Sequence, residues 1–147
     1  MYGASLIMGL NFASNFLKSE QDRQSYLASA DIELQNAEIL RHNAYITRAI
    51  GARNEDVLRA QNRAYLANNR AIAGEAGIGE SPTLMSAIAT SSNALEHNVL
   101  NERYKVESQA ENYLYQARIK EENANQLREK AGNSFASSLL SSVAGMF

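Results

Sequence analysis

The side chains best suited to acid–base or metal chemistry are two histidines, His42 and His97, and two pairs of adjacent carboxylates. A chain folded back about residue 78 would place His42 opposite residue 114, far from His97. No shared metal site is therefore expected, and solvent-facing or interface histidines are the better interpretation. The carboxylate pairs, Glu55-Asp56 and Glu121-Glu122, lie among Arg and Lys on expected helix, which is typical of solvated helix charges.

The remaining candidate for chemistry is the glycine-rich stretch around Gly77-Ile78-Gly79. It lacks the preceding strand and the third glycine of a dinucleotide-binding loop, so a hinge is the better interpretation. The chain has no cysteine, which removes disulfides and thiolate metal sites. A small hydrolase would need an acidic or nucleophilic site in a cleft, and the sequence shows neither. We expect no catalytic residue, no metal and no cofactor, and the sequence does not indicate an enzyme.

The same stretch organises the elements around it. Glycine breaks helices, and Pro82, the chain's one proline, suits a first helical position after Ser81 as N-cap. The segment on each side has no proline and at most one glycine. The sequence therefore predicts a long helix over 18–73, a turn over 74–81 and a second long helix over 82–131. The predicted hinge residues are Gly74, Gly77, Gly79 and Pro82.

Small residues recur every seven positions in both predicted helices, which indicates a supercoiled helix–helix seam. Folding the chain about residue 78 brings the two rows into the same stretch of an antiparallel pair. After a change of phase near residues 51–56, Ala60, Ala67 and Gly74 are expected to continue the first row, with a bend or a change of partner there. In the second helix Val106, Tyr113 and Leu127 belong to the same heptad pattern as the alanines, and the pattern is broken only at Lys120. The predicted seam residues are Ala30, Ala37, Ala44, Gly51, Ala110, Ala117, Ala124 and Ala131.

The predicted fold class is all-α: a long antiparallel helical hairpin with short apolar terminal segments. Several large apolar side chains are expected to fall away from the seam and form a second face: Ile39, Leu40, Tyr45, Ile46, Leu58, Tyr65, Leu66, Leu114 and Tyr115. A second apolar face on a hairpin most often contacts other subunits, so we expect a homo-oligomer.

The terminal segments, 1–17 and 132–147, carry no charged side chain. The first lacks the basic region of an export signal, and neither has the roughly 18 apolar residues of a membrane-spanning helix. Two interpretations stay open: burial against a neighbouring subunit, or entry into a membrane interface or an oligomeric pore. The predicted membrane or partner contacts are Leu6, Ile7, Leu10, Phe12, Phe16, Leu17, Phe135, Leu139, Leu140, Val143 and Phe147.

Between residues 41 and 70 the first predicted helix has six arginines against only two carboxylates: Arg41, Arg48, Arg53, Arg59, Arg63 and Arg70. In a ring of hairpins these side chains could line a lumen and contact DNA without sequence preference. The favoured alternative is pairing between subunits, with the acid-rich stretches 18–38 and 96–122. The net charge of −2 makes no general case for nucleic acid binding.

The sequence resembles the smaller internal virion (ejection) proteins of short-tailed bacteriophages over about residues 30–131. The resemblance is carried by Ala-Gly-Glu-Ala-Gly-Ile-Gly-Glu-Ser-Pro-Thr-Leu-Met at 73–85, by Asn-Glu-Arg-Tyr-Lys-Val-Glu-Ser-Gln-Ala at 101–110 and by Tyr-Leu-Tyr-Gln-Ala at 113–117. It implies no catalytic residues. Family members tend to be somewhat longer.

The resemblance implies a protein held inside the capsid near the portal, which leaves before the genome. It would form or support an oligomeric conduit across the host envelope, at the outer membrane, with other ejection proteins and portal or tail proteins as partners. The alternative function is a purely structural virion component, a tail or portal adaptor without membrane contact.

Overall fold

The computed structural model describes the backbone of residues 3–144 and the side chains of residues 14–141. Over that range the chain forms two helices, α1 (Gly3–Glu75) and α2 (Pro82–Ala144). They pack against each other as a hairpin, which confirms the all-α hairpin predicted for a single chain. The hairpin divides into two compact units, unit 1 (Met1–Arg41 with Tyr115–Phe147) and unit 2 (His42–Leu114).

Both helices run beyond the predicted bounds into the uncharged terminal segments, so neither segment is set off by a break near residue 17 or residue 131. The serine-rich part of α2 satisfies its hydroxyl groups locally. Ser134 and Ser137 donate to the carbonyl groups of Ala131 and Ser134, each at 3.1 Å, and Ser141 donates to that of Ser138 at 3.0 Å. Serine hydroxyls inside a helix can bond the carbonyl groups of the preceding turn in this way.

The turn is fixed by a helix cap at the end of α1. The amide of Ile78 donates to the carbonyl of Ala73 at 3.0 Å, and that of Gly77 donates to Gly74 at 3.1 Å. This pair of bonds is the Schellman arrangement, which places the residue at the position of Gly77 in the left-handed region. Gly77 has a φ of 74°, a conformation that glycine adopts without steric cost.

The second helix begins at the predicted proline. The carbonyl of Ser81 accepts from the amide of Met85 at 3.0 Å, the bond expected of an N-cap residue. Gly79 lies close to the end of α1, where a Cβ on Gly79 would be 3.3 Å from Cα of Gly74. Gly74 itself is the penultimate residue of α1, so the turn occupies residues 76–81.

In unit 1 the seam is built from alanine on both helices. Ala30, Ala117 and Ala124 have no exposed surface, and Ala37 and Ala131 are almost completely buried. The register is marked by Ser19 and Ser138, whose hydroxyl oxygens lie 2.8 Å apart.

The two helices are antiparallel, so the same number of residues can be counted forward from Ser19 along α1 and backward from Ser138 along α2. This count places Ala30 level with Leu127 and Ala37 level with Lys120. The alanines of one helix therefore lie against larger side chains of the other. Each helix of the unit has small residues where its partner needs space.

In unit 2 the periodicity of the seam changes from seven to eleven residues. Ala44 and Ala110 are buried, as the seven-residue pattern predicts. Beyond Gly51 the side facing α2 continues at Asn62 and Ala73, and Asn62 donates to the carbonyl of Leu95 at 3.5 Å. An eleven-residue repeat keeps a seam in line on a helix with about 3.67 residues per turn, so α1 keeps the same partner.

The expected continuation of the seam through Ala60, Ala67 and Gly74 is wrong, because all three residues are exposed. A strict seven-residue step drifts around a straight helix by about 20° per repeat. After the phase change, this row has moved to the side of α1 that faces away from α2.

Gly51 is the closest approach of the seam in unit 2. A Cβ built there would overlap Cγ1 of Val106 and lie 2.9 Å from Cγ2 and 3.1 Å from Cβ of that residue. The β-branched valine side chain is stiff and has little room to rotate away. The φ of Gly51 is not in the left-handed region, so its backbone conformation does not require glycine. The close packing against Val106 does.

We expect Gly51→Ala to destabilise the hairpin by about 1–2 kcal/mol, because overpacking costs about 1–3 kcal/mol and outweighs the gain of up to about 1 kcal/mol in helix propensity. Gly132→Ala is the matched control: Gly132 is also helical, and a Cβ there meets nothing within 4 Å. This control should be neutral or stabilising. Urea unfolding followed by circular dichroism measures both changes.

The partner variant Val106→Ala provides the check on mechanism. Gly51→Ala should be harmless or favourable in the Val106→Ala background, because the space it needs is then available. An equal loss of stability in both backgrounds would contradict the packing explanation.

Candidate functional site

The histidines do not form a site. His42 is exposed and its ring stacks on that of Tyr45, with the centroids 6.5 Å apart. His97 is exposed on α2. Among the described residues no group of three or more His, Asp or Glu side chains is arranged to hold a metal ion.

The adjacent carboxylates make ordinary helix ion pairs. Glu55 pairs with Arg59 one turn along α1, at 2.5 Å, and Glu121 pairs with Arg41 across the seam of unit 1, also at 2.5 Å. Their neighbours Asp56 and Glu122 are exposed. Glu55 and Asp56 line a groove of about 330 Å³ together with Arg48, Arg103 and Glu107, where Glu55 is held in its helix ion pair and Glu107 in a cross-helix pair with Arg48.

A groove of about 1030 Å³ lies between α1 and α2 of unit 2. Its lining combines the amides of Asn54, Asn62 and Asn98 with the aliphatic side chains of Leu58 and Val99. The groove has no histidine among its lining residues. The lining also carries the charged residues Glu55, Glu102, Arg103 and Lys105, and Glu102 pairs with Lys105 one turn along α2 at 2.6 Å.

Three of the six predicted arginines pair with carboxylates of the same chain. Arg41 pairs with Glu121 in unit 1, as described above. In unit 2, Arg48 bonds to Glu107 and, at 2.8 Å, to Glu111, and Arg59 reaches Glu96 at 2.9 Å.

These carboxylates lie in the stretch 96–122 that was expected to pair with arginines of another subunit. They are instead supplied by α2 of the same hairpin. Arg53, Arg63 and Arg70 are exposed and make no ion pair within the described part of the chain, so they stay the candidates for contact with DNA or a neighbouring subunit.

The ion pairs of unit 2 lower the pKa values of two glutamates. Hydrogen bonds from Arg48 hold the pKa of Glu107 below its usual range, and the bond from Arg59 does the same for the pKa of Glu96. In each case a hydrogen bond to the charged carboxylate outweighs desolvation.

The predicted membrane or partner contacts fall into three groups. Phe16 and Phe135 pack edge to face across unit 1, with their centroids 6.3 Å apart, and Arg23 lies over the Phe135 ring at 5.5 Å. Leu17 and Leu140 project into solvent with 67% and 72% of their surface exposed. Leu139 is 40% exposed.

The side chains of Leu6, Ile7, Leu10, Phe12 and Val143 lie outside the described residues, as does the whole of Phe147. No described helix has a stretch both long and apolar enough to span a bilayer.

Two polar pairs in unit 1 have a positioning role that the sequence did not assign. Lys120 interrupts the heptad pattern of α2, and its Nζ lies 3.0 Å from Oε2 of Glu33. Such a pair fixes the register of a seam, because sliding either helix would leave a partly buried charge without its partner. The break in the heptad pattern at Lys120 was the signal in the sequence that could have indicated the pair with Glu33. Nothing in the sequence singled out Ser19 and Ser138.

Comparison with known proteins finds no match: no protein-family model, no curated protein and no solved structure matches this chain.

We expect Glu107→Gln to lower the midpoint of thermal unfolding at pH 7 by removing the charged partner of Arg48. Because the folded-state pKa of Glu107 is lowered, this stabilisation is complete above the ordinary glutamate pKa of about 4.3 and disappears as the pH falls through the lower, folded value. The difference between wild type and variant should therefore shrink below pH 4.

Glu122→Gln is the control, since it removes the same charge from an exposed position without an ion pair in the described structure. It should show little effect at any pH. A difference between wild type and Glu107→Gln that stays constant from pH 7 to pH 3 would contradict the assigned role of the carboxylate.

Proposed function

We propose that this protein is an internal virion (ejection) protein of a short-tailed bacteriophage, without enzymatic activity. It acts as a homo-oligomer that forms or supports a conduit across the host cell envelope for genome delivery. It is held inside the capsid near the portal and moves to the host envelope on ejection. Its partners are other ejection proteins and the portal or tail.

The observation that carries this proposal is the pairing of the two uncharged segments in unit 1. Phe16 contacts Phe135 and Ser19 contacts Ser138, so the N-terminal part of α1 and the C-terminal part of α2 lie side by side. Leu17 and Leu140 are left largely exposed next to them. Exposed apolar side chains on segments without charged residues of their own are suited to a membrane interface or to another protein.

The local hydrogen bonding of the serines supports the same role. The hydroxyl groups of Ser134, Ser137, Ser138 and Ser141 all donate to carbonyl groups one turn back. A hydroxyl satisfied in this way costs less to remove from water than a free one. The C-terminal part of α2 is consequently less polar than its serine content indicates.

The seam supports passage through a narrow opening. Its buried residues are mainly alanine, and Val99 is the largest fully buried side chain among the described residues. Opening such a seam exposes little apolar surface per residue, so the free energy needed to separate the helices is small compared with that of a thick core.

A structural adaptor is the second candidate, and one observation favours it. Phe135 is already contacted by the ring of Phe16 and the guanidinium of Arg23. A charged group placed over the ring suits a protein partner better than a lipid. In this alternative the exposed leucines insert into a portal or tail protein.

We expect the purified protein to release dye from vesicles of phosphatidylethanolamine and phosphatidylglycerol. The double variant L17E/L140E should reduce the rate at least tenfold, because charged residues cost about 2.5–3.5 kcal/mol each in the centre of a bilayer and less at its surface. The control M85E/Y104E adds the same charge at apolar positions of similar exposure, 64% and 76%. It should leave the rate unchanged.

Unchanged leakage by L17E/L140E would contradict a membrane role for the paired segments. If the wild-type protein causes no leakage, and L17E/L140E loses co-purification with portal or tail proteins, the adaptor is the correct assignment.

A further inference from the structure

The solvent-exposed surface of α1 in unit 2 carries a row of apolar residues, which we call the outer face, and Val57 lies where this face borders the groove between α1 and α2. Ile46, Ile50 and Val57 are 39%, 56% and 48% exposed. Arg53 is the only charged member of the row. The other members are the exposed alanines Ala60, Ala64, Ala67 and Ala71. These positions alternate by three and four residues, which is the spacing of a helix–helix seam.

The outer face is divided by side-chain size. Its first half holds the large residues Ile46, Ile50 and Val57, and its second half holds alanines. In an antiparallel pair of two such faces, centred between Val57 and Ala60, Ile46 meets Ala71 of the other copy and Ile50 meets Ala67. Val57 meets Ala60, and Arg53 meets Ala64. Every layer then combines a large residue with a small one.

The two helices of the hairpin pack against each other in the same way, with a small residue of one helix opposite a large residue of the other. At the closest point of unit 2, Gly51 of α1 accommodates Val106 of α2. A parallel pair would instead place Ile50 against Ile50 and Ala67 against Ala67. Two helix axes held apart by isoleucine leave the alanine half underfilled, which loses packing contacts.

The charges beside the outer face are also self-complementary. Asp56 and Arg63 flank the same edge of the row, are exposed, and make no ion pair within the described part of the chain. In the antiparallel arrangement Asp56 of one copy faces Arg63 of the other, and the two-fold axis produces this pair twice. A parallel pair would bring Asp56 near Gln61 and form neither ion pair.

We propose that in the soluble protein a second copy of this chain binds the outer face, as an antiparallel two-fold pair of α1 helices centred between Val57 and Ala60. The inference deepens the self-association that is part of the proposed function by naming the surface and the orientation. It concerns the soluble protein, so it is tested without membranes.

The first test is sedimentation equilibrium of the full chain, with Val57→Asp as the disrupting variant. Each dimer would bury two of these carboxylates at its centre, so the dissociation constant should rise at least a hundredfold. Leu100→Asp is the matched control, with the same charge added at a 46% exposed apolar position of α2 in the same unit. It should dimerise like the wild type. Circular dichroism checks that both variants keep the hairpin.

The second test is a charge exchange. Asp56→Arg and Arg63→Asp should each weaken the dimer about tenfold, because each leaves two like-charged contacts. The double variant D56R/R63D restores both pairs with reversed sign and should recover most of the affinity. Two weakened single variants without recovery in the double variant would overturn the proposed contact.

The third test uses the absence of native cysteine. I50C and A67C, mixed and oxidised, should form a disulfide between unlike chains, since the two positions share a layer. I50C alone should not cross-link, because residue 50 of each copy would be about 25 Å from residue 50 of the other. Cross-linking of I50C to itself would overturn the antiparallel orientation. A wild-type chain that stays monomeric at millimolar concentration would overturn the interface.

These outcomes are separable from those of the vesicle experiment. Leakage that depends on Leu17 and Leu140 from a protein that never dimerises would support the conduit and overturn the outer-face pair. A dimer with the predicted cross-links and no effect on vesicles would support the outer-face pair and overturn the conduit.

Discussion

The structure depends on a restriction of side-chain size where α1 meets α2. In unit 1 the buried positions of the seam are occupied by alanine and by Ser19, and in unit 2 Gly51 is in contact with Val106. The small residues of one helix lie against larger residues of the other, so the seam has one register in which both rows fit. A shift by three residues would bring Ala30 level with Ala124 and Leu27 level with Leu127, and rigid interiors do not absorb such volumes.

The polar contacts reinforce the register that the packing selects. Lys120 with Glu33 in unit 1, and Arg48 with Glu107 in unit 2, connect the two helices beside the seam. Exposed ion pairs contribute little free energy by themselves, and their effect here is on the choice of register. The Schellman cap at Gly77 completes the hairpin by reversing the chain within six residues. The uncharged segments of unit 1 are brought together as a consequence of these constraints, and the proposed function is built on that consequence.

The hairpin could be predicted from the sequence because its helix-breaking residues are concentrated in one short stretch. The glycines and Pro82 located the turn, and the seven-residue rows located the buried alanines. Folding about residue 78 expected residue 105 opposite Gly51, and the structure places Val106 there. The row through Ala60 failed, because a seven-residue count cannot show that a seam has changed to a period of eleven. The ion pairs of Arg48 and Arg59 were assigned to another subunit, since a list of charges does not show which partner lies across the seam.

The central claim is that the two uncharged segments are held side by side by this register. The most direct measurement is the disulfide yield of the double variant S19C/S138C, in which the exchanged hydroxyl oxygens lie 2.8 Å apart. We expect rapid formation of a bond within one chain in dilute solution, while S25C/S138C, offset by more than one helical turn, stays reduced. Bonds that form only between chains, or equal yields for the two variants, would contradict the hairpin register and the function proposed from it.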